Sequence, residues 1–187
     1  MKSTSSSAIM PNFKWMVQRP SRILAFGFGS GLSPMAPGTA GTLWAWAIFL
    51  IAQHFLSMNS ALWAIGAGAL LGCWICGLVS EELGKKDFGG IVLDEMITFW
   101  LVLIYIMPAS IWMQSWAFGL FRFFDAVKPG PIGWIDRYFK KQEDDKAQSS
   151  FSQILWRGFG IMIDDVAAAI LTLFGLALTQ IAIAHFA

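Results

Sequence analysis

The chain has 187 residues, of which 56% are hydrophobic and only 13% are charged, and its mean hydropathy is +0.59. A soluble domain of this length cannot bury so many apolar side chains, so we expect lipid to cover much of the surface. The formal net charge of +1 argues against a nucleic-acid-binding protein, which would carry a strongly basic surface.

The N-terminal residues 1–21 are polar and basic, and they contain no long apolar stretch followed by a cleavage site. We predict a polar tail that leads into a segment at the membrane interface. The whole chain, 1–187, is expected to form one membrane-embedded domain.

A glycine-rich stretch, GFGSGLSPMAPGTAGTLWAW, occupies residues 27–46 and passes directly into an apolar run. Glycines allow backbone amides to approach an anion, and the helix that follows adds the attraction of its N-terminal dipole. We therefore predict a phosphate-binding segment in which Gly29 contributes backbone and Ser30 and Thr39 contribute hydroxyls. The pattern is neither the dinucleotide GxGxxG, since no βαβ unit surrounds it, nor a P-loop.

Apolar runs predict an all-α, multi-pass transmembrane bundle of about four to five helices. The second and last runs are long enough to cross the hydrocarbon core of a bilayer, and the first is close to that length. Cys73 and Cys76 lie inside the second run, where we expect them to pack as small apolar side chains. The runs are residues 41–58, 61–79, 91–107, 111–124 and 166–187.

The distribution of charge predicts the orientation of this bundle. If all five runs cross, the 13 Lys and Arg residues fall on one membrane face, which the positive-inside rule identifies as cytoplasmic. The acidic residues follow the same partition, so we expect an active site at the cytoplasmic edge. Residues 140–157 are expected to form a flexible, solvated insert on that side.

Three groups of charged residues are embedded in apolar sequence, and the first is DFGGIVLDEMITFW. It contains Asp87 and the pair Asp94 and Glu95 at the start of a membrane helix. Burying ionised carboxylates is costly unless a cation or hydrogen bonds compensate. We expect something positive beside them.

The second group is FGLFRFFDAVKPGPIGWIDR, in which Arg122 and Asp125 are three residues apart and share one helical face. Lys128 follows three residues later, just before Pro129 ends the helix. Arginine and lysine together suit an anion such as phosphate. The alternative is that Arg122 and Asp125 pair only with each other.

The third group, GFGIMIDDVAAAIL, places Asp164 and Asp165 at the predicted start of the last helix. Acidic residues at a helix N-terminus can simply complement the helix dipole. Two adjacent aspartates between apolar residues also fit a metal site. Oxygen ligands without histidine or cysteine favour a hard cation, and Mg²⁺ is the expected cofactor where phosphate is handled.

Together, GFGSGLSPMAPGTAGTL, Asp87 with IVLDE, FRFFDAVKPGPIGWIDR and GFGIMIDD resemble the motifs of the phosphatidylglycerophosphatase A family, in the family's order. The resemblance implies a multi-pass enzyme of the bacterial inner membrane, with its active site facing the cytoplasm. It also implies Mg²⁺-dependent hydrolysis of phosphatidylglycerophosphate to phosphatidylglycerol and inorganic phosphate.

The sequence therefore assigns two sets of site residues. We expect Arg122, Lys128 and the 29–42 loop to stabilise the transferring phosphoryl group. The nucleophile is either a metal-bound water or an aspartate. The rival interpretation is a transporter or channel with a cation-binding carboxylate site. The expected catalytic carboxylates are Asp94, Glu95, Asp125, Asp164 and Asp165, and the expected metal ligands are Asp87, Asp94, Glu95, Asp164 and Asp165.

Overall fold

A computed structural model describes residues 10–85, 88–130, 132–134, 137–138 and 150–186, with the side chain of residue 186 left aside. These residues contain helices and turns and no β-strand, as the sequence predicts. A 3-10 turn at Gly27–Leu32 separates the second and third α-helices. The helices are α1 Phe13–Met16, α2 Pro20–Ala25, α3 Pro37–Ala52, α4 Met58–Leu83, α5 Leu93–Ile106, α6 Ile111–Val127 and α7 Phe151–Phe186.

Local sequence sets several of these helix ends. The side chains of Ser57 and Ser110 accept hydrogen bonds from backbone amides in the first turns of α4 and α6. Gly84 ends α4 in the left-handed conformation, at a φ of 62°. Pro108 follows α5 and prevents its continuation.

Helix α5 lies at the centre of the bundle and contacts α3, α4, α6 and α7. Its side chains Phe99, Val102 and Leu103 are fully buried, and they share a core cluster with Phe121 of α6 and Ala168 of α7. Charged residues at the first turn of α5 are therefore presented to several helices at once.

Helices α4 and α7 cross at two glycines. A β-carbon on Gly158 would collide with the carbonyl oxygen of Cys73, and one on Gly77 would collide with that of Ile154. Small residues of this kind let two helix backbones approach closely, which is a common device in membrane helices.

The N-terminal helices are held against the C-terminal end of α4. Arg22 is buried, donates to Glu82 at 2.8 Å and lies 4.0 Å from the centre of the Trp15 ring. Residues 13–16 and the start of α2 at Pro20 thus form helices inside the region predicted as a polar tail.

Two helices, α4 and α7, are long and apolar enough to cross a membrane, and α3 is a shorter apolar helix. The predicted flexible insert, 140–157, is wrong at its end, because residues 151–157 form the first turns of α7. Its residues 140–149 lie outside the described part of the chain.

Candidate active site

The first turn of α5 presents two acidic side chains in different directions. Asp94 is only 5% exposed, and the side chain of Glu95 is 14% exposed. The helix is fixed at this end because the amide of Val92 donates to the carbonyl of Ala25 at 2.9 Å. Consecutive helical residues point about 100° apart, so the two carboxylates reach different neighbours.

Arg122 of α6 bridges two carboxylates. Its Nη1 lies 2.9 Å from Oε2 of Glu95 and 2.8 Å from Oδ2 of Asp125. The prediction of a positive partner beside the acids of α5 is confirmed for Glu95. The alternative in which Arg122 and Asp125 pair only with each other is wrong, because Glu95 shares the guanidinium.

The N-terminal end of α3 packs against the ion pair between Glu95 and Arg122. A β-carbon on Gly38 would lie 2.6 Å from Oε2 of Glu95 and 2.8 Å from Nη2 of Arg122, so a side chain there would displace the ends of both. Thr42, one turn later, donates to the carbonyl of Gly38 at 2.9 Å and lies 3.4 Å from both Glu95 Oε2 and Arg122 Nη1.

Neither Gly38 nor Thr42 was among the individually predicted site residues. Both lie within the predicted 29–42 loop, but the sequence offers several glycines and hydroxyls there. Their spacing of four residues, which places them on one face of a helix that begins at Pro37, was the available signal.

Lys128 caps the C-terminal end of α6 and forms an ion pair with Asp164 of α7. Its φ of 47° is in the left-handed region, which is uncommon for residues with a side chain. This conformation is held by the bond from its amide to the carbonyl of Phe124, at 2.9 Å.

Asp164 and Asp165 lie in the interior of α7, and the prediction that they open the last helix is wrong. Helix α7 begins at Phe151 and passes through Gly158 without a break. Compensation of an N-terminal helix dipole therefore does not explain the two aspartates. Both are buried, at 5% and 4% exposure.

Five carboxylates thus meet at one place, which we call the acidic cluster. Asp94 and Asp165 interact electrostatically with each other and with the three remaining members. Within the described residues, Arg122 and Lys128 pair with three of these acids, and buried carboxylates beyond these pairs are costly unless cations, protons or hydrogen bonds compensate. The cluster consists of Asp94, Glu95, Asp125, Asp164 and Asp165.

One atom of the cluster is left without a partner. Oδ1 of Asp94 is buried and has no hydrogen bond within the described chain, and the same holds for Nε of Arg122. In the described ranges, no three acidic, histidine or cysteine side chains are already arranged to hold a metal ion. Glu95, Asp125 and Asp164 contact basic side chains instead.

The other predicted phosphate-binding residues lie in different settings. Ser30 donates its hydroxyl to the carbonyl of Gly27 at 2.8 Å, within its own turn. Gly29 has a φ of 106° and lies near the methyl group of Met16. Thr39 is half-buried in the first turn of α3, next to Gly38. Asp87, a predicted metal ligand, lies outside the described residues.

These features define a helical protein with candidate membrane helices and a buried, mixed-charge site suited to a small charged ligand. A sequence model of the phosphatidylglycerophosphatase A family matches residues 23–145. The chain belongs to this family. The match includes α3, α5 and α6, which supply Gly38, Glu95 and Arg122.

Similar proteins support this assignment. A phosphatidylglycerophosphatase A of Haemophilus influenzae is 41% identical over 163 residues, covering 86% of the chain and 88% of that relative. One of Escherichia coli is 34% identical over 157 residues, covering 83% and 81%. A candidate phosphatidylinositol-3-phosphatase of Bacteroides thetaiotaomicron is 34% identical over 163 residues, covering 82% and 91%. No solved structure matches the chain.

Proposed function

We propose that this protein hydrolyses the phosphomonoester of phosphatidylglycerophosphate, yielding phosphatidylglycerol and inorganic phosphate. The names of the Haemophilus and Escherichia relatives support the substrate. The observation that carries the proposal is the bridge from Arg122 to Glu95 and Asp125, which brings a guanidinium and two carboxylates together from two helices.

The basic residues bind the phosphate in this proposal. The planar fork of Arg122 suits two phosphate oxygens, and Lys128 adds a point charge from the end of α6. Both cations are partly shielded from water, with side-chain exposures of 18% and 26%. Electrostatic stabilisation of the phosphoryl group is strong in such a setting.

The carboxylates serve two purposes. One of them accepts a proton from the attacking water and so activates it, and direct attack by an aspartate is the second possibility. The remaining carboxylates would hold a divalent cation. We favour water because phosphoryl transfer depends mainly on positioning and charge stabilisation.

Mg²⁺ is the proposed cofactor, and the residues present fit it. All five members of the acidic cluster offer hard oxygen donors, and Oδ1 of Asp94 is a buried acceptor without a partner in the described chain. Asp94, Glu95, Asp164 and Asp165 would hold the ion, with Asp87 as a further candidate. When bound, Mg²⁺ would polarise the phosphoryl oxygens and offset the charge of the carboxylates.

We further propose a multi-pass arrangement in the bacterial inner membrane, with α3, α5 and α6 crossing beside α4 and α7 and the acidic cluster facing the cytoplasm. At 14 and 17 residues, α5 and α6 are shorter than a typical span of about 20 residues. Packing against neighbouring helices inside the bundle would compensate for the short length of α5 and α6. Reporter fusions at Asn59 and at the C-terminus should both report the external side, and a cytoplasmic signal from either would contradict this topology.

The activity is tested by inorganic phosphate release from defined lipids in mixed micelles, with and without Mg²⁺. We expect release from phosphatidylglycerophosphate to be fastest and to stop when the metal is chelated. Phosphatidic acid and phosphatidylinositol-3-phosphate test the head group, the latter because of the Bacteroides relative. A protein that releases phosphate from none of these lipids would contradict the proposal.

A transporter or channel is not favoured as an alternative function, because the related proteins are phosphatases.

A further inference from the structure

The two basic side chains beside the acidic cluster already form ion pairs with its carboxylates. Arg122 Nη1 contacts both Glu95 and Asp125, and Lys128 is paired with Asp164. These contacts join α5 to α6 and α6 to α7. The two cations therefore pair with Glu95, Asp125 and Asp164 across three helices.

The proposed function, on which this inference rests, gives the same groups other partners. It assigns the carboxylates to Mg²⁺ and the cations to phosphate. A carboxylate that moves toward a metal weakens its bond to Arg122 or Lys128, since the cation and the metal compete for the same negative charge. The basic side chain that it leaves is then a buried charge without its partner, which is unfavourable until an anion arrives.

We propose that Mg²⁺ and phosphate bind by an exchange of ion-pair partners. Mg²⁺ draws Glu95 and Asp164 away from Arg122 and Lys128, and the released cations bind the phosphate. Each ligand then increases the affinity for the other by the same factor, because the coupling between two binding events is reciprocal.

Two buried atoms show where the exchange begins. Asp94 is 95% buried, given its 5% exposure, and its Oδ1 has no partner within the described chain. This oxygen can accept a metal without first giving up a hydrogen bond. Nε of Arg122 is also unpaired there, so it is a donor ready for an anion before the Glu95 and Asp125 contacts open.

The experiment measures binding alone, with purified full-length protein, MgCl₂ and inorganic phosphate, by isothermal titration calorimetry. We expect saturating phosphate to lower the Kd of Mg²⁺ at least about fivefold, and saturating Mg²⁺ to lower the Kd of phosphate by the same factor. Equal affinities with and without the second ligand would overturn the inference.

Direct contact between bound Mg²⁺ and phosphate would also couple their affinities, so a variant must separate the two explanations. Lys128→Met removes the competitor for Asp164. Partner exchange predicts that this variant binds Mg²⁺ more tightly than wild type when phosphate is absent, and that its coupling factor falls. Unchanged or weaker Mg²⁺ binding by Lys128→Met would overturn the inference.

Three further proteins complete the test. Lys128→Arg keeps the charge and should keep the wild-type Mg²⁺ affinity. Lys14→Met removes the same charge from an exposed position on α1 and should change neither affinity nor coupling. If thermal denaturation shows that Lys128→Met is not folded, Arg122→Met, which frees Glu95 and Asp125, is judged by the same criteria.

Phosphate release from phosphatidylglycerophosphate is measured separately. An active enzyme without coupling contradicts only the exchange, and coupling without activity contradicts only the proposed function.

Discussion

Gly38 at the start of α3 lies directly against the carboxylate of Glu95, so close that a β-carbon there would have to displace it. The same β-carbon would lie 2.8 Å from Nη2 of Arg122. The absence of a side chain at residue 38 thus allows the Glu95–Arg122 ion pair to form where it does.

Gly38→Ala should therefore inactivate the enzyme while leaving it folded. The methyl group displaces Glu95 and Arg122, and a misplacement of about 1 Å in a site costs on the order of 100-fold in rate. Initial rates of phosphate release and the melting temperature check this. Gly66→Ala is the matched control, since a β-carbon there meets nothing within 4 Å. Equal activity of the Gly38→Ala and Gly66→Ala enzymes would contradict the assignment of α3 to the site.

The hydroxyl of Thr42 is expected to position Glu95 and Arg122. Thr42→Val keeps the shape and removes the hydroxyl, and we expect kcat to fall about tenfold, since hydrogen bonds to charged groups contribute about 1.5 kcal/mol. Thr42→Ser retains the hydroxyl and should recover most of the rate. Separate measurement of kcat and KM distinguishes positioning from substrate binding. Equal defects in the Val and Ser variants would show that the methyl group matters instead.

The crossing of α4 and α7 should be sensitive to single methyl groups. Gly158→Ala forces a β-carbon onto the backbone carbonyl of Cys73, and overpacking of this kind costs about 1–3 kcal/mol. A lower melting temperature in detergent micelles is the expected result. Gly119→Ala on α6, where a β-carbon has open space, is the control. Identical melting temperatures for the two variants would argue against this helix crossing.

Two arginines contact Glu82 and allow a matched comparison. The side chain of Arg22 is 10% exposed and also contacts Trp15, whereas that of Arg19 is 58% exposed. Arg22→Met should lower the free energy of unfolding by about 3 kcal/mol because it breaks a buried pair. Arg19→Met should lower it by less than about 1 kcal/mol. Melting curves give the order, and a reversed order would contradict the described packing of α2 on α4.

The sequence predicted the helical fold and the proximity of the embedded charged residues, because both depend on local patterns. Apolar runs identified α3 to α6, and charged residues embedded in them identified the acidic cluster. The need for a cation beside the acids of α5 followed from the cost of burying charge, and Arg122 meets it for Glu95.

The start of α7 could not be predicted in the same way. The GFG at residues 158–160 suggests a break, yet the helix continues because Gly158 fits against α4. Tertiary packing here outweighs local propensity. The four-residue spacing of Gly38 and Thr42 was too weak a signal to choose among the hydroxyls, since only the placement of α3 against α5 distinguishes Thr42 from Ser30.

The most direct test of the acidic cluster is the rate of phosphate release from phosphatidylglycerophosphate by purified Asp94→Asn. This change keeps the size of a buried side chain and removes its charge. We predict a loss of at least about 100-fold with an unchanged melting temperature, as expected when a charged group of the catalytic site is removed. A variant that releases phosphate at the wild-type rate would show that the chemistry takes place elsewhere.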